Sequence, residues 1–170
     1  HGEQEAPQFA SICAENIANG AVCINVGTLS THWARAMEAT AAQCAESNIP
    51  WILDPVAVGV PALQFRTDVC VRLVQHKPTV IRGNPAECIA LAQAVLPQDV
   101  VTQLEASKVS SFDALEQSGA DSRSDSTQVD LRYVDALASH TGGVVVTTGS
   151  VDYVSCGRTG RRFLVKHDVP

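Results

Sequence analysis

Short apolar runs, each followed by a longer helical pattern, constrain most strongly what this chain can fold into. Residues 21–26 (AVCINV), 51–53 (WIL), 78–81 (PTVI) and 143–148 (GVVVTT) are apolar and rich in β-branched side chains, with little polar alternation. Such runs suit strands covered on both faces, as in a parallel sheet. After Ser30, the residues Trp33, Ala36, Met37, Thr40, Ala41 and Cys44 recur at i, i+3, i+4, i+7 spacing and form one helical stripe. Further helices are predicted over 8–19, 66–75, 86–95 and 129–140. The resulting β-α-β-α order predicts an open α/β sheet with helices on both faces, a three-layer α/β/α arrangement with mostly parallel strands. Residues 97–128 are polar and poorly periodic, and are expected to hold a helix or two plus a mobile loop.

Composition narrows the function classes. The 170 residues, 45% hydrophobic and 18% charged, fit a single globular domain spanning 1–170. A net charge of -6 and a pI near 5.2 argue against nucleic acid or an anionic membrane as the main partner. The one basic cluster, Arg158 with Arg161 and Arg162, flanks Gly157 and Gly160 and reads as a solvated turn. No apolar run approaches the roughly 20 residues that cross a bilayer. The first residue is His1, so a processed or incomplete chain is expected, and a removed targeting peptide stays open. Cys13, Cys44, Cys70 and Cys88 fall in helical patterns and Cys23 in a strand, where a thiol behaves as a small hydrophobe. With no C-x-x-C pair and no Cys/His ligand spacing, zinc is not expected and a reducing compartment fits best: the cytoplasm, or an organelle.

Right-handed crossovers set the strand-to-helix loops along one edge of such a sheet, and ligands bind there, outside the carboxyl ends of the strands. Four loops are therefore candidates: GTLS (27–30), DPVAVGV (54–60), RGNPAE (82–87) and TGSVD (148–152). In RGNPAE, Asn84 suits an N-cap, Pro85 the first helical position and Glu87 the third, where its carboxylate reaches back to the cap. That capped start leaves Arg82 and Gly83 unexplained. A cation at a strand's end facing a helix N-terminus is an anion-binding arrangement, and Glu87 is placed to hold a divalent cation beside a phosphate. Asp54 reads either as a strand-ending Asx turn or as a second carboxylate suited, with Glu87, to Mg2+. Thr147, Thr148 and Gly149 read either as a tight turn or as a hydroxyl and amides aimed at a nucleotide. There is no G-x-x-x-x-G-K-[ST], G-x-G-x-x-G or G-x-S-x-G, and the histidines are scattered.

In this order the stretches INVGTLS, PWILDPVAVG, FRT, VIRGNPAE, SGADS and VVVTTGSVDYVS resemble hydroxyethylthiazole kinases, a family of the ribokinase-like superfamily in which N-x-x-E, here Asn84 to Glu87, positions magnesium and phosphate. The resemblance implies phosphoryl transfer from MgATP to the primary alcohol of 4-methyl-5-(2-hydroxyethyl)thiazole, a step of thiamine biosynthesis and salvage. By position it implies Arg82, Asn84, Thr148 and Gly149 at ATP, Asp54 and Glu87 at Mg2+, and Gly27 and Thr28 at the thiazole. It also implies a homotrimer.

Three departures accompany it, the first being that the family's N-terminal segment, with its asparagine and methionine contacts to the thiazole, is expected before His1. Ser150 stands where the family carries a glutamate, and Pro170 falls before the place of the family's glycine-rich G-[TA]-G-C segment with its catalytic cysteine. No catalytic residue is therefore assigned, and the 170-residue chain alone is expected to turn over little or not at all. The alternatives are an inactive nucleotide-binding or oligomer-stabilising subunit, a pyridoxine-type kinase, or an NAD(P)HX dehydratase.

Overall fold

A computed structural model describes residues 2–16, 20–107 and 130–166. The predicted alternation holds. Helix α1 (Glu5–Asn16) leads into β1 (Val22–Asn25), then α2 (Thr31–Glu46), β2 (Trp51–Asp54), α3 (Gln64–Val74), β3 (Val80–Gly83) and α4 (Pro85–Val95). Helices α5 (Gln98–Ala106) and α6 (Leu131–Thr141) precede β4 (Val144–Thr147), β5 (Val151–Cys156) and β6 (Arg162–Lys166). The predicted helix within 97–128 is α5, and the loop expected over the rest of that stretch lies outside the described residues from 108 on.

The sheet is mixed, and its spatial order repeats the chain order, β1-β2-β3-β4-β5-β6. The first four strands are parallel and the last two antiparallel. One ladder row runs Ile24–Leu53–Ile81–Val145–Ser155, and each of its members is at most 5% exposed. Helices α2, α3, α4 and α6 touch in that succession and make one continuous layer. Burying a large aliphatic side chain there stabilises the fold by roughly 1.5–3 kcal/mol. Alternate positions point the other way, because strand side chains have a period of two. These are Cys23 and Asn25, Ile52 and Asp54, Val80 and Arg82, Val144 and Val146, all half-buried or exposed. Among the described residues the helical cover expected on both faces is thus complete on one.

Helix starts follow their caps. Ser30 accepts from the Trp33 amide ahead of α2, and Asp130 accepts from the Arg132 amide ahead of α6.

Three expectations need correction. Cys23 is exposed rather than buried, because β1 is the outermost strand of the sheet. The basic cluster is only partly a solvated turn: Arg162 lies in β6 and its Nε donates to Asp135 of α6 at 2.9 Å. Strand β6 itself went unpredicted, because all five of its residues are exposed and carry no periodic pattern. What fixes the β5–β6 hairpin is Asp135, which also accepts from Tyr153 Oη and Ser155 Oγ at 2.7 Å each. All five described cysteines are free thiols.

Candidate active site

The four loops do lie at the carboxyl ends of β1 to β4. Register pairs Asn25 with Asp54 and Leu53 with Ile81, so the next step brings Asp54 beside Arg82, which in turn pairs with Val146. Asn25, Asp54 and Arg82 therefore make a polar row on the face away from the helix layer. Asn25 Nδ2 donates to Asp54 Oδ2 at 2.5 Å, while Asp54 Oδ1 makes no hydrogen bond to the described residues. Arg82 is exposed, with no hydrogen-bond or ion-pair partner among them. A free guanidinium beside a half-free carboxylate can receive an anion and a hard cation together.

Behind this row the predicted capping box is present. Asn84 Oδ1 accepts from the Glu87 amide and Glu87 Oε2 accepts from the Asn84 amide, both at 2.9 Å. The second oxygen of Glu87, Oε1, accepts from the Ala57 amide at 2.8 Å. Glu87 is thus both a helix cap and the anchor of the β2 loop, and each oxygen keeps one further lone-pair direction. Gly83 makes room for this: a β-carbon there would lie 3.1 Å from Glu87 Oε2 and 3.4 Å from Pro55 Cδ.

The anchored loop is strained. Ala57 has φ 57°, rare for a residue with a side chain, and Gly59 has φ 81°. Two side chains of the FRT stretch hold it as well: Thr67 Oγ1 accepts from the Gly59 amide at 3.0 Å, and Arg66 Nη1 donates to the Val56 carbonyl at 3.3 Å. Arg66 Nη1 also donates to the Val26 and Gly27 carbonyls at 2.5 and 3.3 Å, while Asn25 Oδ1 accepts from the Gly27 amide at 2.7 Å. Gly27 and Thr28 are exposed in the bend after β1.

The loop after β4 differs from its functional reading. Thr147 is buried in the core. The Thr148 amide donates to the Gly83 carbonyl at 3.0 Å and its hydroxyl to the same oxygen at 3.4 Å. The Gly149 amide donates to Asp152 Oδ1 at 2.9 Å. Both amides are engaged in the turn and its link to β3, so the Thr148 hydroxyl, whose bond is the longest, is the group best placed to turn to a ligand.

Two thiols sit beneath the site. Burial pushes Cys70 and Cys88 up to about 12, and the nearby Asp54 and Glu87 carboxylates add to the rise in both. Neither is a nucleophile at neutral pH, because the thiolate is the reactive form. No group of three or more His, Cys, Asp or Glu gathers as a metal cluster among the described residues. Mg2+ needs none: it takes one or two carboxylates and completes its shell with water and phosphate oxygens. Asp54 fits as a direct ligand, and Glu87 through its remaining lone pairs or a water.

Known proteins resemble this chain in sequence and fold. The profile of the hydroxyethylthiazole kinase family matches residues 2–107. The chain belongs to that family. The hydroxyethylthiazole kinase of Escherichia coli O1:K1 is 41% identical over 154 residues, covering 91% of this chain and 48% of the relative. That of Shigella boydii serotype 18 is 40% identical with the same coverage. A solved hydroxyethylthiazole kinase from Pyrococcus horikoshii OT3 superposes with a TM-score of 0.65 at 29% identity, covering 96% of this chain and 49% of that one. The chain spans about half the length of the curated relatives it matches. Likeness of this degree favours the thiazole-kinase family over the pyridoxine-type kinases and NAD(P)HX dehydratases.

Family membership gives a context to residues that sequence reasoning passed over. Asn25, Arg66 and Thr67 organise the site, yet none was singled out. Asn25 had a signal, since asparagine is disfavoured in strands and invites a reason for being there. Arg66 and Thr67 lay in a stretch quoted for its resemblance alone.

Proposed function

We propose that the protein containing this chain phosphorylates the primary hydroxyl of 4-methyl-5-(2-hydroxyethyl)thiazole with MgATP, in thiamine biosynthesis or salvage. In that reaction the hydroxyl oxygen bonds to the γ-phosphorus, the bond from the γ-phosphorus to the bridging oxygen breaks, ADP leaves and the hydroxyl proton is released. Phosphoryl transfer asks a protein chiefly for positioning and charge neutralisation. The observation that carries the reading is the free Arg82 guanidinium in one row with Asp54, in front of the capped N-terminus of α4.

Arg82 and the Thr148 hydroxyl receive the triphosphate, with Asn84 and Gly149 shaping the backbone around it. Asp54, with Glu87, holds the Mg2+. That ion supplies charge neutralisation on the phosphate oxygens. Gly27 and Thr28 border the thiazole. A homotrimer and a cytoplasmic location belong to the same reading, the location in keeping with the free thiols of the five described cysteines.

A thermal-shift titration with MgATP, and with ATP in EDTA, tests the site directly. At a hundredfold excess over Kd, binding adds about 2.7 kcal/mol of stability. That corresponds to a rise of roughly 5–10 °C for a chain of this size. Arg82→Ala removes a charge-assisted contact of about 1.5–3 kcal/mol and so weakens MgATP roughly 10- to 150-fold. No shift with MgATP, or an equal shift for Arg82→Ala, refutes the assignment.

A further inference from the structure

We infer that Arg66 is a positioning residue for the alcohol-bearing substrate, acting through the backbone of Gly27; this rests on the functional reading above. Its Nη1 donates to three carbonyls on two different loops, Val26 and Gly27 after β1 and Val56 after β2. Among the described residues no carboxylate pairs with it, and its Nε is buried without a hydrogen-bond partner. The charge is therefore matched by carbonyl dipoles, and the guanidinium works as a strut between neighbouring loops.

The peptides flanking Gly27 are fixed from both sides. Arg66 holds its carbonyl at 3.3 Å and Asn25 Oδ1 holds its amide at 2.7 Å. Asn25 is itself oriented by Asp54 at 2.5 Å, and Val56, two residues beyond Asp54, returns to Arg66. The chain Asp54–Asn25–Gly27–Arg66–Val56 is a closed ring. It ties the carboxylate offered to Mg2+ to the bend offered to the substrate.

The two arginines divide the labour. Arg82 is exposed, has no partner among the described residues and faces the phosphates, whereas Arg66 is half-buried, engaged with backbone and set behind the bend. Losing Arg66 frees the Gly27–Thr28 backbone, whereas Asp54 stays in its ladder position beside Asn25 and the triphosphate side is spared. Because a displacement of about 1 Å is enough to lose much of a positioning effect, thiazole-alcohol affinity falls roughly tenfold to a hundredfold in Arg66→Met.

The test measures binding of the thiazole alcohol and of MgATP separately by calorimetry, with amide hydrogen exchange on the same samples. In Arg66→Met, thiazole-alcohol affinity drops while MgATP affinity holds. Exchange quickens at residues 27–29 and 56–58 but not in α4, and Arg66→Lys recovers part of both effects. Equal loss of both ligands with faster exchange across the core would mean a purely structural residue and overturn the inference. So would unchanged thiazole-alcohol affinity. Failure of the functional reading looks different: the unsubstituted chain then takes up neither ligand, and the substrate assignment of Arg66 falls with it. Loop exchange still reports whether Arg66 holds the two loops.

Discussion

Gly59 is where the loop carrying Asp54 presses hardest on the helix carrying Glu87. Its φ is +81°, and a β-carbon there would stand 2.3 Å from the β-carbon of Ala90 in α4. Apolar carbons prefer about 3.5–4.0 Å, so Gly59→Ala demands a displacement of more than about 1 Å in a packed contact. Two terms add. Left-handed backbone with a side chain costs about 1–2 kcal/mol, and overpacking costs about 1–3 kcal/mol. The expected loss is about 2–5 kcal/mol, read from urea unfolding followed by the fluorescence of buried Trp51. A second substitution separates the terms. Ala90→Gly alone costs about 1 kcal/mol of helix propensity. Combined with Gly59→Ala it removes the clash and leaves the backbone term, so the double variant recovers about 1–3 kcal/mol relative to additivity. If the two losses simply sum, the loop is not seated on α4 as described and the reasoning fails.

Glu87→Ala deletes the capping-box return bond and the Ala57 anchor together, with an expected loss of about 2–4 kcal/mol by thermal denaturation, against about half of that for Glu87→Gln, whose single amide oxygen keeps one of the two bonds. Arg82→Ala, by contrast, should change unfolding free energy by less than about 0.5 kcal/mol, since its side chain holds nothing among the described residues; a larger loss would show a structural partner. Cys70 and Cys88, pushed up to about 12 from an ordinary 9.0, should resist alkylation at pH 8 in the folded protein, while exposed Cys23 reacts. Above pH 9 the unfolded chain ionises these thiols and the folded chain does not. The stability they contribute is whole below pH 9 and falls as pH rises towards 12, which urea titrations across that range would reveal.

The layout of the fold was legible because β1 to β4 are apolar on a scale that propensity registers, and the helix starts at Ser30 and Asn84 obey side-chain rules that act over three residues. The edge positions were not. Cys23 looks like any other apolar-strand residue until its strand is known to be outermost, and β6 is held by its ladder with β5 and an ion pair to Asp135 that no local pattern announces. For the site, the places of Asp54 and Arg82 at their strand ends and of Glu87 in the first turn of α4 were legible from sequence. Three of their supporting contacts were not, since they reach far along the chain: Asn25 to Asp54 is 29 apart, Ala57 to Glu87 is 30 and Arg66 to Val26 is 40. The engaged amides of Thr148 and Gly149 were equally invisible, because a turn that satisfies itself and one that awaits a phosphate share the same residues.

The matching of strand order to chain order bears on how the site comes into being. Core partners along the parallel strands are separated by 29 residues (24 to 53), 28 (53 to 81) and 64 (81 to 145). Loop-closure entropy grows with that separation, and contacts close in sequence form sooner. Asn25, Asp54 and Arg82 therefore come together first, as neighbours added one after another, and the Arg66 ring closes with them. Thr148 arrives last, across the long link from β3. The loops after β1, β2 and β3 are thus brought together as a local event, and the loop after β4 joins them across the longest separation.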